Sequence, residues 1–443
     1  MRPSELFKDV NPAIRDNLGK PRAVLAIGRG VAETAECART SGANVVAFEV
    51  DPAMLSRARD VADEAHAFGS APAEAWKAIE GKLFDLVILE DGAAHTRDAL
   101  ESAKSKLSDG GHALIAFGTS EDPDRVAGDV EAAGFEVMRL EVNPRVISAL
   151  AAVGPEAVAE LKKVHTTSFR YTREVLLPLE RLAARVAPRA LADGYVLVAR
   201  LPPARRKLSL TVGMLTLNEK ESVERMIDDI RAIVPDAKIL LIDSSSDETP
   251  ELAKAKGARV VRQLPPRGHG PAMERLMYEA ASESDALIYI DCDFTYPTNV
   301  IGQIREMLEA GADVVNATRT SKYPKAMPVP NFMANRLFAG TASMVHGLPT
   351  TDVHSGLRGY RSSVIRGFAF DGEGDAIPLD TLILPARSNY NVIEFPIEYS
   401  ERVGVSKLAK LRGTIWTFIR IARAVGKGDR VRRGKRYVVR DAE

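Results

Sequence analysis

The sequence predicts an α/β protein of two domains, and three observations carry that expectation. Apolar strand-like runs alternate with helical segments from end to end, the alternation restarts after a basic, proline-containing interruption (PPARRK, Pro202 to Lys207), and 443 residues exceed what one core ordinarily serves. The first series reads AVLAIG (23–28), NVVAFEV (44–50), LFDLVILED (83–91), HALIAFG (112–118), FEVMRLEV (135–142) and YVLVARL (195–201). Helical periodicity separates most of these runs, as a mostly parallel, doubly wound sheet requires. Only Val146 to Leu191 breaks the rhythm, with two helical runs, and reads as an insertion before the last strand. The second series reads LSLTVGMLTLNE, AKILLIDSS, ARVVRQL, ALIYIDCD and ADVVNATRT. The expected domains are therefore 1–203, with the insertion at about 146–191, then 204–425, and a basic tail at 426–443.

Composition narrows the classes. The 60 basic residues cancel the 60 acidic ones, so no net field points to nucleic acid. Two cysteines, Cys37 and Cys292, both in apolar surroundings, exclude a disulfide framework and suit a reducing compartment. MRPSELFKDV lacks the apolar core of a signal peptide, and no run reaches the roughly 18 apolar residues of a membrane span. A cytoplasmic protein is expected, with any membrane contact made from the surface. One local bias stands out: between Val405 and Arg440 bases far outnumber acids, which marks the place for an anionic partner.

In the first half, AVLAIG runs into GRGVAETAECART, a glycine-rich turn opening a helix, and the next strand ends at Glu49, with Asp51 following. Glycines such as Gly28 and Gly30 let a backbone approach a cofactor, and an acid at the second strand's tip can bind ribose hydroxyls; the same glycines can equally be packing devices. With FEVDPAMLSRARD, LFDLVILEDGAAH, LSDGGHALIAF and GYVLVARLPP in this order, residues 20–201 resemble the class I S-adenosylmethionine-dependent methyltransferases. The resemblance implies a Rossmann-like fold and S-adenosylmethionine held by Gly28, Gly30 and Glu49. Ala26 stands where the family has an acid, Ala32 at the third glycine position, and the Phe68-Gly69-Ser70 region where an acid follows the third strand. Asp91 and His95 lie at a strand tip suited to catalysis, and a docking domain without catalysis is the alternative.

In the second half, LIYIDCDFTYP sets two carboxylates one residue apart at the end of an apolar strand. Strand alternation would place Asp291 and Asp293 on one side and Ile290 and Cys292 on the other. Two such acids repel unless compensated, and Mg2+ or Mn2+ is the simplest remedy; a cap on the following turn is the alternative. Upstream stand MLTLNE, Asp243 at a strand tip before a serine-rich turn with Asp247 and Thr249, and Gly268 and Gly270 at a helix start suited to phosphate. Downstream come ADVVNATRT, NFMANRLFAG, TDVHSGLRGYR and EFPIEYSERVGVSKL.

This ordered set, Ser209 to Leu408, resembles the family 2 glycosyltransferases of GT-A fold, most closely the polyprenyl-phosphate or dolichyl-phosphate hexose synthases. The resemblance implies that Leu217, Asn218, Glu219 and Asp243, with Asp247, hold the base and ribose of a GDP- or UDP-hexose, and that Gly268 and Gly270 face its phosphates. It further implies that Asp291 and Asp293 hold the divalent ion on the diphosphate. Thr295 stands where those enzymes have glutamine, which puts a third ligand in question. Arg319, Arg336, Arg358, Arg402 and Lys407 fall inside matched motifs, and arginine forks suit the oxygens of an acceptor phosphate. An ionised acceptor needs little base, whereas a hydroxyl acceptor needs one; Asp380 is the first candidate, with Asp352 and His354 behind it.

Beyond the SKL motif, Leu411, Ile415, Phe418, Ile419, Ala422 and Val425 share a stripe, and Arg412, Arg420, Arg423 and Lys427 share another. That pattern predicts an amphipathic helix, either lying in a membrane interface or packed on the catalytic domain. Three functions are consistent with the whole: an inverting hexosyltransferase acting on a polyprenyl phosphate, with a possible second methyltransferase activity; a transferase acting on a hydroxyl of a glycan or small metabolite; and a non-catalytic scaffold.

Overall fold

The computed structural model describes residues 14, 17–68, 72–90, 97–144, 192–372, 377–401, 417–418, 420–422, 424 and 436–440. It forms two compact units, the first built from the chain up to Pro203 together with Arg366–Ala369, the second from Ala204–Ile365 and the described residues after Ala369. The expected insertion at 146–191 lies outside the described residues.

The first unit runs β1 (Ala23–Gly28), α1 (Ala32–Thr40), β2 (Asn44–Glu49), α2 (Leu55–Val61), β3 (Glu64–Ala67), α3 (Pro72–Ala78), β4 (Phe84–Leu89), α4 (Arg97–Lys106), β5 (Leu107–Gly118), α5 (Pro123–Ala132), β6 (Glu136–Pro144) and β7 (Ala192–Arg200). Its sheet has the order β3-β2-β1-β4-β5-β7-β6, with β7 antiparallel to both neighbours. The continuous apolar runs predict this outcome, because strands covered by helices on both faces have no wet side to alternate toward. The short strand β3, EAHA, carries no such signal and is held by pairing with β2 and by Phe48, edge-on to His66 and stacked on Phe68.

The second unit runs β8 (Leu210–Thr216), α6 (Val223–Ile233), β9 (Lys238–Asp243), α7 (Thr249–Ala255), β10 (Arg259–Arg262), α8 (His269–Glu283), β11 (Ala286–Ile290), α9 (Ile301–Glu309), β12 (Val314–Thr318), α10 (Val329–His346), β13 (Leu357–Arg361), α11 (Ser362–Arg366), α12 (Ile377–Arg387), β14 (Val392–Pro396) and β15 (Tyr437–Val439). Eight strands lie in the order β10-β9-β8-β11-β13-β12-β14-β15, and only β13 runs antiparallel to its neighbours. Helix α6 shows why the layers close. Val223, Met226, Ile227 and Ile230 recur at helical spacing and are all buried, each worth about 1.5–3 kcal/mol relative to exposure, against Val212, Met214 and Leu241 of the sheet.

Strand β13, LRGYR, departs from the sequence reading, which treats this stretch as a motif with a cation facing an acceptor. Arg358 is buried instead, and its guanidinium donates to Asn316 Oδ1, to the carbonyls of Pro378 and Val353 (the latter at 2.8 Å), and to Thr381 Oγ1. A strand carrying two buried arginines has no apolar alternation to reveal it.

Candidate active site

Parallel pairing brings the C-terminal ends of β8, β9, β11 and β12 to one edge of the second sheet, where α/β proteins bind ligands. At β8 the turn Leu217-Asn218-Glu219 needs the left-handed conformation, supplied by Asn218 at φ 57°. It is zipped to the serine-rich turn after β9: Asn218 N–H donates to Ser245 Oγ at 2.8 Å, Glu219 N–H to Thr249 Oγ1 at 2.9 Å, and Asn218 Oδ1 accepts Ser246 N–H at 2.8 Å. Asp247 accepts from Thr249, which with neighbouring donors outweighs burial and holds its carboxyl below the usual range. Asp243 is fully buried, accepting from Thr216 at 2.7 Å and from Ser245, and pairing with Arg262. The Asp243 carboxylate thus braces the turn from inside. Gly268 takes φ 97° directly before α8, a conformation glycine alone adopts without strain, and Gly270 is buried in its first turn.

The two aspartates are not on the strand. Strand β11 ends at Ile290, and Asp291 and Asp293 sit on the turn that follows, so alternation no longer governs where they point. Other contacts do. Asp291 accepts from the phenol of Tyr289, and its Oδ2 lies against Gly356, where an added Cβ would come within 2.1 Å. Burial and the neighbouring Asp291 charge push Tyr289 well above the ordinary tyrosine range, so it stays a neutral donor. Asp293 is buried and accepts from Thr295 N–H and Oγ1, with Phe294 between them at φ 60°. Thr295 thus anchors Asp293 where a third ligand was in question. Ser222 Oγ donates to the Cys292 carbonyl at 2.6 Å, tying the start of α6 to this turn, and burial pushes the Cys292 thiol up to about 12.

Two acids steered by neutral hydroxyls match the oxygen donor set of a hard divalent ion. Among the described residues no group of three or more His, Cys, Asp or Glu could hold a metal.

Around the pair, Arg319 is committed to Asp352: Nε donates at 2.7 Å, Nη2 at 3.0 Å and the backbone N–H at 3.1 Å. The guanidinium lies over the rings of Tyr296 and Tyr399. Burial opposes both charges, but each holds the other ionised, raising the arginine and lowering the acid. Tyr296 in turn accepts the Gly356 N–H at 2.6 Å. Behind them Glu394 is buried among Asn316 Nδ2, Thr350 Oγ1, the Thr351 amide and hydroxyl, and Tyr437 OH, which holds the loop before β13 in place. Tyr289, Tyr296, Gly356, Glu394 and Tyr399 lie within the quoted motifs, but the sequence reading assigns none of them a role.

The three base candidates are each engaged. Asp352 is forked to Arg319. His354 is pushed down to about 3 by burial, with Nε2 3.0 Å from Thr417 Oγ1. Asp380, in the first turn of α12, is buried against Arg420, which also donates to the Asp371 carbonyl at 2.7 Å. Arg420 is thus packed within the unit, in line with one of the two expectations for this helix. Among the described residues here, Thr417, Arg420, Ile421 and Ala424 are buried, while Phe418 and Ala422 are exposed. Arg336, on α10, is exposed and donates to the Thr320 carbonyl at 3.4 Å. Arg402, Lys407, Asp91, His95, Leu411, Arg412, Ile415, Ile419, Arg423, Val425 and Lys427 lie outside the described residues, whereas the expected tail supplies strand β15 (Tyr437–Val439), paired parallel with β14.

In the first unit, the register pairs Gly28 with Glu49. The Glu49 carboxylate is fully buried and accepts the amides of Gly30 at 3.0 Å, Val31 at 3.1 Å and Asp51 at 3.0 Å. The carboxylate thus caps the glycine turn. Gly28 is required by packing, since a Cβ there would meet the Glu90 carbonyl at 2.6 Å, and Gly30 by its φ of 72°.

The strand orders and the sheet-edge cluster define the class, a Rossmann-like methyltransferase-type unit followed by a nucleotide-sugar transferase unit of GT-A fold. The chain belongs to glycosyl transferase family 2, matched over residues 211–368, and a methyltransferase domain is matched over 25–115. It is 35% identical over 205 residues to a dolichyl-phosphate hexose transferase of Haloferax volcanii, covering 46% of this chain and 88% of that one. An undecaprenyl-phosphate mannosyltransferase of Micrococcus luteus is 26% identical over 207 residues, 44% of this chain and 85% of that one. Among solved structures, glucosyl-3-phosphoglycerate synthase from Mycobacterium tuberculosis, in complex with Mn2+, UDP and phosphoglyceric acid, aligns at TM-score 0.40 and 20% identity over 50% of this chain and 80% of that one.

Proposed function

We propose that the second unit transfers a hexose from GDP- or UDP-hexose to a polyprenyl phosphate with inversion at the anomeric carbon. The observation that carries this reading is the engagement of the base candidates: Asp352 by Arg319, Asp380 by Arg420, and His354 by burial that leaves it too weak a base. A hydroxyl acceptor must lose a proton as it attacks, whereas a phosphate oxygen is already ionised and needs only orientation and charge neutralisation. Asp291 and Asp293 would hold Mg2+ or Mn2+, which when bound neutralises the charge on the departing nucleoside diphosphate. Tyr289 and Gly356 orient Asp291, Thr295 orients Asp293, and the turns around Asn218 and Ser245 form the wall for the nucleoside. The acceptor phosphate attacks the face of the sugar opposite the leaving diphosphate, drawn by the exposed Arg336 and by Arg402 and Lys407. The resemblance to polyprenyl-phosphate enzymes supports the same acceptor class.

For the first unit we propose a scaffold role without methyl transfer, supported by the Glu49 carboxylate being consumed by the turn it would open to the cofactor. The deciding experiment is a donor screen with Mn2+ that compares a polyprenyl phosphate with hydroxyl acceptors and scores nucleoside diphosphate release. Turnover on hydroxyl acceptors alone refutes the acceptor assignment.

A further inference from the structure

The basic tail supplies the second sheet with its edge strand. Strand β15 pairs parallel with β14, Val392 against Tyr437 and Glu394 against Val439. Val392 N–H donates to the Arg436 carbonyl at 2.9 Å and Arg440 N–H to the Glu394 carbonyl at 2.8 Å. Val438 and Val439 are 53% and 41% exposed, so the strand brings one side chain into the unit, Tyr437 at 7%. Glu394 stands two residues beyond the register partner of Tyr437, a diagonal that a long aromatic side chain can span, and the phenol reaches Glu394 Oε2 at 2.5 Å.

Glu394 is fully buried, and five neutral donors fill its oxygens: Tyr437 OH, Asn316 Nδ2 and Thr350 Oγ1 on Oε2, and the Thr351 amide and hydroxyl on Oε1. A buried carboxylate held through neutral hydrogen bonds depends on having all of them. Burial and the Glu394 charge push Tyr437 well above the ordinary tyrosine range, so its phenol stays a donor. The other donors lead to the candidate site. Asp352 follows Thr351 directly, and Asn316 Nδ2 also donates to the Asp352 carbonyl at 2.9 Å. Asp352 is the fork that holds the Arg319 guanidinium over Tyr296 and Tyr399. Tyr296 in turn accepts the amide of Gly356, the residue against which Asp291 packs.

We propose that Tyr437 is a positioning residue of the candidate site: through Glu394 it fixes the Thr350–Asp352 loop, and with that loop the Arg319 guanidinium beside the aspartate pair. Strand β15 is the clasp that completes the arrangement. Without the phenol, Glu394 Oε2 keeps two donors, and the loop is free to leave the geometry in which Asp352 forks Arg319. The consequence for turnover rests on the transferase reading above; the consequence for the loop rests on the hydrogen bonds alone.

The test uses the full chain carrying Tyr437→Phe, which keeps the ring and the strand pairing and removes only the hydroxyl. Amide hydrogen exchange, read without substrate, should speed about tenfold across Thr350–Gly356 while β8 and β9 exchange as in the wild type, the effect expected for losing one bond to a buried carboxylate. In the assay of nucleoside diphosphate release with Mn2+ and polyprenyl phosphate, kcat should fall about tenfold with the donor KM within about twofold of wild type. Thr351→Val interrupts the same path next to Asp352, so the double variant should fall no more than about twofold below the weaker single variant. Unchanged exchange in the loop overturns the proposal. So does exchange that speeds equally throughout the unit, which would make Tyr437 a residue of global stability only. A loosened loop with unchanged kcat, or losses that multiply in the double variant, also overturns it. Absence of wild-type turnover refutes the transferase reading instead, and the exchange result then decides by itself whether Tyr437 positions the loop.

Discussion

Replacing Gly356 by alanine tests the aspartate pair without touching either carboxylate. An ideal Cβ on Gly356 would lie 2.1 Å from Asp291 Oδ2, 2.6 Å from Cγ and 2.9 Å from Oδ1, against ordinary contact at 3.4–4 Å. The carboxylate must therefore move by about 1 Å or more, and two restraints decide how it moves. The Asp291 amide donates to the Gly356 carbonyl at 3.1 Å, which keeps the two backbones together, and Oδ1 is held by Tyr289, itself buried in the sheet. The side chain must swing off the tyrosine to clear the added methyl group. A misplacement of about 1 Å at a reacting centre costs on the order of 100-fold, or about 2.7 kcal/mol of barrier. The assay is the initial rate of nucleoside diphosphate release at rising Mn2+, alongside a thermal melt. The expected result for Gly356→Ala is a rate lower by about 100-fold at saturating donor, a higher Mn2+ requirement, and a melting temperature within a few degrees of wild type. A rate within threefold of wild type with the same Mn2+ curve would refute the placement of Asp291 in the chemistry.

Asp293→Ala should abolish sugar transfer while leaving the melting temperature nearly unchanged; retained turnover in the same assay removes the metal assignment. Arg420→Ala leaves Asp380 buried without its partner and should cost about 3–5 kcal/mol in denaturant unfolding, whereas a surface arginine of an interfacial helix would cost less than about 0.5 kcal/mol. His354 has a folded value of about 3 against roughly 6.5 unfolded, so the unfolded chain binds the extra proton between those values. Its contribution to stability is present in full above about pH 6.5 and lost as pH falls toward 3, by up to about 1.4 kcal/mol per pH unit, and His354→Gln should flatten that slope in unfolding curves. Isothermal titration with S-adenosylmethionine should give no heat from the first unit, and saturable binding would restore Glu49 and the glycine turn to a cofactor site.

Much of the architecture is legible in the chain because its signals are local. Runs such as AVLAIG, KILLID and ALIYI are long enough and apolar enough to be strands covered on both faces, and the break at Pro202 to Lys207 separates the two series. The order of polar turns at the strand ends likewise marks where chemistry collects. Strand β3 and strand β13 escape because EAHA and LRGYR are held by partners across the sheet, with no pattern of their own.

By itself the sequence determined the class and the set of residue types at the site, since both depend on neighbours along the chain. Only the tertiary structure decided what each charge does. Glu49 meets Gly30, Asp243 meets Arg262, Asp352 meets Arg319 and Asp380 meets Arg420 across 19 to 40 residues of sequence. A carboxylate's role follows from the donor that reaches it in a medium of low dielectric, where an unpaired charge is costly. Sheet crossovers choose that donor, and four acids that look alike in the sequence become a turn cap, an internal brace and two buried ion pairs.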